Sequence, residues 1–330
     1  MPSRKELLIF VSPHVGGRKV GNSIALAFED LANVSVVEAL DEDAASLARA
    51  HVIITGLGRV TRENIMAAPN LEVIQCASHG YDYVDLAAAS ERGIQVANIG
   101  SSGAEKQNVA EQTVALMLGL AKQLIPAHNA LASGDWALPR LQPSITELSN
   151  KILGIVGLGQ IGREVAKRAR AFEMTILYSD TAPSPVEVER ELGATYVELD
   201  ELLAASDYVT LHTPLVEATR GLIDARRLAL FKPTAFLINT ARGAIVDQQA
   251  LTHALNTGVL AGAGIDVFDP EPPAADFPLL RAANVLLSPH VAGVTRETLV
   301  RIAQAAASNA REYLSGRPLV DVVNGPAVTT

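Results

Sequence analysis

Two α/β domains, each a parallel sheet flanked by helices, are predicted by this sequence on three observations. The chain has 330 residues, long for one hydrophobic core and comfortable for two. It is 48% apolar and only 19% charged, which supplies two buried sheets and rules out a disordered chain. Short apolar runs alternate with helical stretches from end to end, the rhythm of βαβ units.

In the first series the runs are Leu7–Val11, Val34–Val37, Val52–Ile54, Val73–Cys76 and Ile94–Ala97, each followed by a helical period or a turn. A second series starts at Ile152 with ILGIVG. It continues through Thr175–Ser179, Thr195–Val197, Asp207–His212, Ala235–Asn239, Ala263–Val267 and Val285–Ser288. Ser184-Pro185-Val186-Glu187 offers a serine N-cap, proline at the first helical position and a glutamate reaching back, with Gly193 as the stop. Asp247 likewise opens a helix that Gly258 ends. Between the series, a capping box at Ser102 and Glu105 opens a long helix whose stretch Val114–Ala121 is apolar on every face. Such a helix is buried, either under the sheets or against a second copy, so a homodimer is one expectation. The last helical stretch, Arg296–Leu314, follows the final strand and returns to the first domain. The domains are then 1–103 plus 296–330, and 104–295.

Composition also excludes function classes. A net charge of −9 disfavours nucleic acid or an anionic membrane as partner. No apolar run reaches the ~18 residues of a membrane span, and Leu7–Val11 is too short for a signal-peptide core. The single cysteine, Cys76, leaves no internal disulfide and no cysteine-rich metal site; no metal is expected. A cytoplasmic location follows as the expectation, with Cys76 inert inside a strand.

The sharpest local signal is GIVGLGQIGREVAKRARAF. Gly157, Gly159 and Gly162 form GxGxxG directly after a strand, and Gln160 and Ile161 begin the helix that follows. The spacing has a physical purpose: a tight turn, close approach of backbone to a pyrophosphate, and close helix-on-strand packing, with the helix N-terminus facing the anion. A dinucleotide site also asks for an acid about 20 residues on. Asp180 follows Gly162 by 18 residues. A carboxylate there accepts ribose hydroxyls and repels an extra phosphate, and no arginine stands at Thr181 or Ala182 to receive one. The cofactor expected is NAD rather than NADP, on a Rossmann domain.

Three ionisable residues lie just past later strands, where ligands bind in open α/β sheets: Arg242, Glu271 and His290. Singly, each has an ordinary reading: a solvated charge, a surface turn, a histidine bonded to a carbonyl. Together with ASHGYDYVDLAAASERGIQVAN, NVAEQTVALMLGLA, GIVGLGQIG, LHTPLVEATRGLI, LINTARGAIVD, GAGIDVFDPEPP and LSPHVAGVT, they make the chain resemble the D-isomer-specific 2-hydroxyacid dehydrogenase family over essentially its whole length.

The resemblance implies a flavodoxin-like substrate-binding domain beside the NAD-binding domain, and NAD-dependent interconversion of a small 2-keto acid and its D-2-hydroxy acid. By it, Arg242 binds the substrate carboxylate and polarises the carbonyl. His290 passes the proton, with Glu271 as its partner, while hydride moves between cofactor and carbonyl carbon. It also implies that the backbone at Ser78, His79 and Gly80 holds the carboxylate and that Asp266 positions the nicotinamide carboxamide. Thr213, Pro214 and Ala241 would line that ring, with Val109, His212 and Thr240 as further cofactor neighbours. Trp136 matches an aromatic that in some relatives reaches the neighbouring subunit's substrate pocket.

Departures narrow the choice. Formate-oxidising relatives carry glutamine at the position of Glu271, and phosphite-oxidising ones lysine at that of His79. Phosphoglycerate dehydrogenases often add a regulatory domain, not expected in a chain ending at Thr330. His79 is unusual at its place, and with Arg59 it points to a second carboxylate or a phosphate on the substrate. Glyoxylate, hydroxypyruvate and larger 2-keto acids stay open. The competing classes are an NAD-sensing protein like the related corepressors, a phosphite-type dehydrogenase, and an L-amino-acid dehydrogenase, whose order of catalytic residues differs.

Overall fold

The computed structural model describes residues 4–56 and 58–325. The outermost residues of the first expected domain, 1–3 and 326–330, lie outside them, as does Leu57 beside Arg59. The chain divides into two compact units, one running up to Glu105 and resuming at Arg296, the other spanning Lys106–Thr295.

The first unit holds β1 (Lys5–Val11), β2 (Ala32–Val37), β3 (Val52–Gly56), β4 (Val73–Cys76) and β5 (Gln95–Ala97). All pair in parallel in the order β2-β1-β3-β4-β5, the doubly wound flavodoxin-like order. Strands covered on both faces read as continuous apolar runs, and β3 and β4 are buried along almost their whole length. The helix Arg296–Leu314 packs Ala306, Ala307 and Ala310 onto Leu7, Ile9 and Val52 of this unit.

The second unit holds β6 (Ile152–Val156), β7 (Thr175–Ser179), β8 (Ala194–Tyr196), β9 (Tyr208–Leu211), β10 (Phe236–Asn239), β11 (Gly262–Ile265) and β12 (Val285–Leu287). They form one parallel sheet, β12-β11-β10-β9-β6-β7-β8. The order reverses between β6 and β9, which places the ligand crevice at their carboxyl ends. This is the Rossmann arrangement with one further strand.

Two expected caps are corrected. Ser102 closes a 3₁₀ turn instead: its hydroxyl donates to Ile99 O at 2.6 Å and accepts the Ala104 amide, so the long helix starts only at Lys106. Pro185, not Ser184, is the cap residue of the helix Val186–Leu192, and the Ser184 amide donates to the Tyr178 hydroxyl. Proline at the cap leaves no side-chain acceptor for the first turn. Asp247 does cap its helix, accepting from the amides of Gln249 and Ala250, and Gly258 ends it at φ 73°. The apolar helix Lys106–Ala121 is covered within its own unit: Leu116, Met117 and Leu120 join the core with Leu153, Val165 and Ile238. Its all-round apolarity therefore gives no support to a dimer. Among the described residues no helix is long and apolar enough to cross a membrane.

Candidate active site

The glycine motif sits where the sheet order reverses. Gly157 has φ 94°, and a Cβ there would lie 2.9 Å from the His212 backbone at the end of β9. A Cβ on Gly162 would lie 2.2 Å from the Gly157 carbonyl, so the first turn of the helix Gln160–Ala171 can come this close to the turn after β6 only with glycine at that position. In front of Gly159 there is open space. Gln160 and Ile161 stand in the first helical turn, whose N–H groups have no partner inside the helix. Asp180 reaches back to this turn: one oxygen accepts the Leu158 amide at 2.8 Å and the other the Thr181 amide.

Beyond β9, the Nε2 of His212 and the Oγ1 of Thr213 are buried without a protein partner, and Pro214 continues to the surface. Buried polar atoms left unpaired are costly, so their presence here fits a polar ligand. Open space before Gly159, the acid on the Leu158 amide and these orphaned atoms together suit a dinucleotide. Burial pushes the His212 imidazole down to about 3, so it stays neutral at any working pH. On the other side of β10, Thr240 meets Thr113 hydroxyl to hydroxyl at 3.0 Å, and Thr113 donates to Val109 O. That pair fastens the helix carrying Val109 to the sheet.

Arg242 leaves the end of β10 on a loop held by Asn239, whose side chain donates to Arg242 O at 2.8 Å and accepts the Ala241 amide. Asn239 gave no signal in the sequence, because an asparagine ending a strand reads as a turn former. Gly243 brings this loop to the next: a Cβ there would lie 2.1 Å from the Phe268 carbonyl carbon. On the loop after β11, Glu271 accepts the Phe268 amide with Oε1 at 2.8 Å and meets His290 Nδ1 with Oε2 at 2.6 Å. Burial raises the Glu271 carboxyl, but His290, the Phe268 amide and Arg242 outweigh it and hold the group below its ordinary value.

His290 follows β12 with φ 52°, a region non-glycine residues seldom occupy. Asp266, fully buried, holds it there. Its main-chain carbonyl accepts the His290 amide at 2.7 Å, while its carboxylate accepts Ser288 Oγ and the amides of Val291 and Ala292. Loops after three neighbouring strands thus bring Arg242, Glu271 and His290 together.

In the first unit, Ser78 is buried and closes its own loop, donating to Gly80 O at 2.7 Å and meeting the Tyr83 hydroxyl at the same distance. His79 is exposed at the loop's tip, and Arg59 is exposed after β3. Burial pushes the Cys76 thiol up to about 12, out of reach of thiolate chemistry. Trp136, 73% exposed, lies between the helices Leu124–Ala132 and Leu138–Leu141 of the second unit. Among the described residues no cluster of His, Cys, Asp or Glu could hold a metal ion.

A nucleotide-binding parallel sheet with an arginine and a carboxylate-paired histidine past its later strands defines a nicotinamide-dependent oxidoreductase. Residues 114–292 match the family described as D-isomer specific 2-hydroxyacid dehydrogenase, NAD binding domain. A glyoxylate reductase of Korarchaeum cryptofilum is 39% identical over 272 residues, covering 82% of this chain and 81% of that one. Among solved structures, a D-lactate dehydrogenase from Aquifex aeolicus complexed with NAD and lactic acid superposes with a TM-score of 0.86 at 30% identity, covering 97% of this chain and all of that one. An NAD-dependent formate dehydrogenase from Staphylococcus aureus in complex with NAD gives 0.86 at 31%, covering 96% and 97%. The chain belongs to the D-isomer specific 2-hydroxyacid dehydrogenase family, and it is an NAD-dependent oxidoreductase of 2-keto and 2-hydroxy acids.

Proposed function

We propose that Arg242 binds the carboxylate of a small 2-keto acid and that His290 and Glu271 form the acid–base pair of the reaction. The observation that carries this reading is the 2.6 Å contact between Glu271 and His290 beside the Arg242 loop. A guanidinium matches a carboxylate as a two-pronged fork and polarises the adjacent carbonyl. With Nδ1 turned to Glu271, His290 has Nε2 left to give a proton to the carbonyl oxygen, or to take one from the hydroxyl. Bound NAD(H) supplies or accepts the hydride. Gly157 through Gly162 would face its pyrophosphate, and Asp180 its ribose. His212, Thr213, Pro214, Thr240, Ala241 and Val109 would surround the nicotinamide end. Asp266, whose Oδ2 accepts the Ala292 amide, would position the carboxamide.

In the first unit, the Ser78–Gly80 loop is proposed to bind the substrate carboxylate through backbone N–H groups. His79 and Arg59 would then select its far end. The exposed apolar run of Leu124, Ile125, Leu131, Trp136 and Leu138 supports a homodimer formed through this segment. A cytoplasmic setting is our reading of the lone, unpaired Cys76.

The test follows NADH absorbance with glyoxylate, hydroxypyruvate, pyruvate, phenylpyruvate, 2-ketoglutarate and 2-ketoisocaproate. His290→Ala is expected to lower kcat/KM at least ~10²-fold. Unchanged turnover in that variant would remove His290 from the chemistry. NADH binding with no turnover of any acid would move the protein to the sensor class. Preference for simple monocarboxylates would retire the far-end role of Arg59 and His79.

A further inference from the structure

We infer that Asn98 is a positioning residue for substrate binding: it sets the Ser78–Gly80 loop through the His79 carbonyl, and the segment Val320–Asn324 sets Asn98. The inference rests on the reading that this loop binds the substrate carboxylate.

Asn98 follows β5 at the edge of the first sheet and is almost fully buried. Its Nδ2 donates to His79 O at 2.7 Å, and its Oδ1 accepts the Gly100 amide at 3.0 Å. This orientation is determined by its partners, since a flipped amide would face donor to donor and acceptor to acceptor. Its backbone is held on both sides. The Asn98 amide donates to Asp321 O at 3.1 Å, and its carbonyl accepts Gln75 Nε2 at 2.9 Å.

Gln75, fully buried in β4, accepts Asn309 Nδ2 on its Oε1 at 2.7 Å. Asn309 in turn grips Val320 through both main-chain groups, each at 2.9 Å. Asp321 accepts the amide and hydroxyl of Ser101, and Asn324 accepts the Val96 amide at 2.8 Å. A continuous polar chain therefore runs from Val320 through the buried Asn309, Gln75 and Asn98 to the His79 carbonyl.

Three primary amides in a sheet-and-helix interior are not explained by packing, which leucine or methionine would serve without hydrogen-bond demands. Satisfied throughout, such a network fixes one arrangement of the groups it joins. What it joins to the core is the main chain of the loop on which carboxylate binding depends. Ser78 Oγ closes that loop locally, but Asn98 sets its height over the strand ends. Small displacements of positioning groups are felt strongly in a bound substrate.

The test compares Asn98→Asp, which removes the donor to His79 at constant size, with Gln75→Met, which cuts the link behind Asn98, and with Gly80→Pro, which deletes a loop N–H. The readouts are KM for the best keto acid, the inhibition constant of oxamate, kcat, the NADH dissociation constant from fluorescence, and the thermal midpoint. We expect Asn98→Asp to raise KM and the oxamate constant about tenfold, the equivalent of one lost hydrogen bond. Gln75→Met should do so less, with kcat and NADH affinity little changed, while the midpoint falls in both variants because each leaves a buried partner unpaired. If Gly80→Pro raises KM while Asn98→Asp and Gln75→Met do not, the loop binds substrate and the positioning role is overturned. If Gly80→Pro leaves KM unchanged, the loop reading itself fails and takes the inference with it. A fall in NADH affinity and kcat parallel to the rise in KM reduces Asn98 to a structural residue.

Discussion

At the scale of single residues, ionisation decides behaviour. Glu271 is held below its ordinary value, so its contribution to stability is complete above the unfolded carboxylate value of about 4.3 and is lost as pH falls through the lower folded value. Glu271→Gln should flatten that part of the acid limb of a thermal-midpoint profile and also lower kcat; an unchanged profile would show the carboxylate does not feel His290 in solution. His212 behaves in the opposite chemical sense with the same outcome. The unfolded chain takes up a proton near pH 6.5 while the folded one refuses it down to about 3, so stability declines as pH drops across that window. His212→Gln should remove this slope, and chemical denaturation at pH 4 and pH 7 measures it. Asp180→Asn retains an oxygen for the Leu158 amide but loses the charge that, in the proposed site, would repel a 2′-phosphate. It should narrow the preference for NADH over NADPH by about tenfold, one lost charge–charge term. The ionisable residues of the candidate site were picked out in the sequence through the family resemblance, each having an ordinary reading alone. Asn239 and the loop-fixing use of Asp266 were not, because they act on main-chain groups through contacts between distant loops.

At the scale of elements, the strands were legible and the helix starts less so. A strand buried on both faces is mostly apolar, which marks β6, and also β3 and β10 despite the buried Thr55 and Asn239. Caps depend on which of several nearby hydroxyls wins, and Ser102 and Ser184 each found another use. The difference can be measured. Asp247→Ala should cost about 1 kcal/mol of stability, the usual loss of an N-cap acceptor, whereas Ser184→Ala should cost less because Ser184 caps no helix and its amide, which donates to Tyr178, stays in place. Urea midpoints at constant slope report both. Gly243→Ala belongs here too. Its methyl would push the Arg242 loop off the Phe268 backbone, so kcat/KM should drop while NADH affinity holds.

At the scale of the whole molecule, strand order follows from right-handed crossovers and was readable as a class, but not as a list of neighbours. The course of the chain after Arg317 was not readable, since the stretch PLVDVVNG mixes apolar and polar residues and is too short to show a helical or strand period. Association through the Leu124–Leu138 segment predicts a dimer in sedimentation that Leu131→Glu converts to a monomer; a monomeric native chain would sink the proposal. The course of the C-terminal segment has a further consequence. β5 ends its sheet, and an edge strand offers unpaired main-chain groups to any other strand that comes near. Val322 pairs antiparallel with Ala97, and Val323 and Asn324 occupy Val96, so the last stretch of the chain already fills that template. A chain cut after Leu319 would present a bare strand to its neighbours, and the first sign of the missing residues should be aggregation at concentrations where the intact protein stays clear.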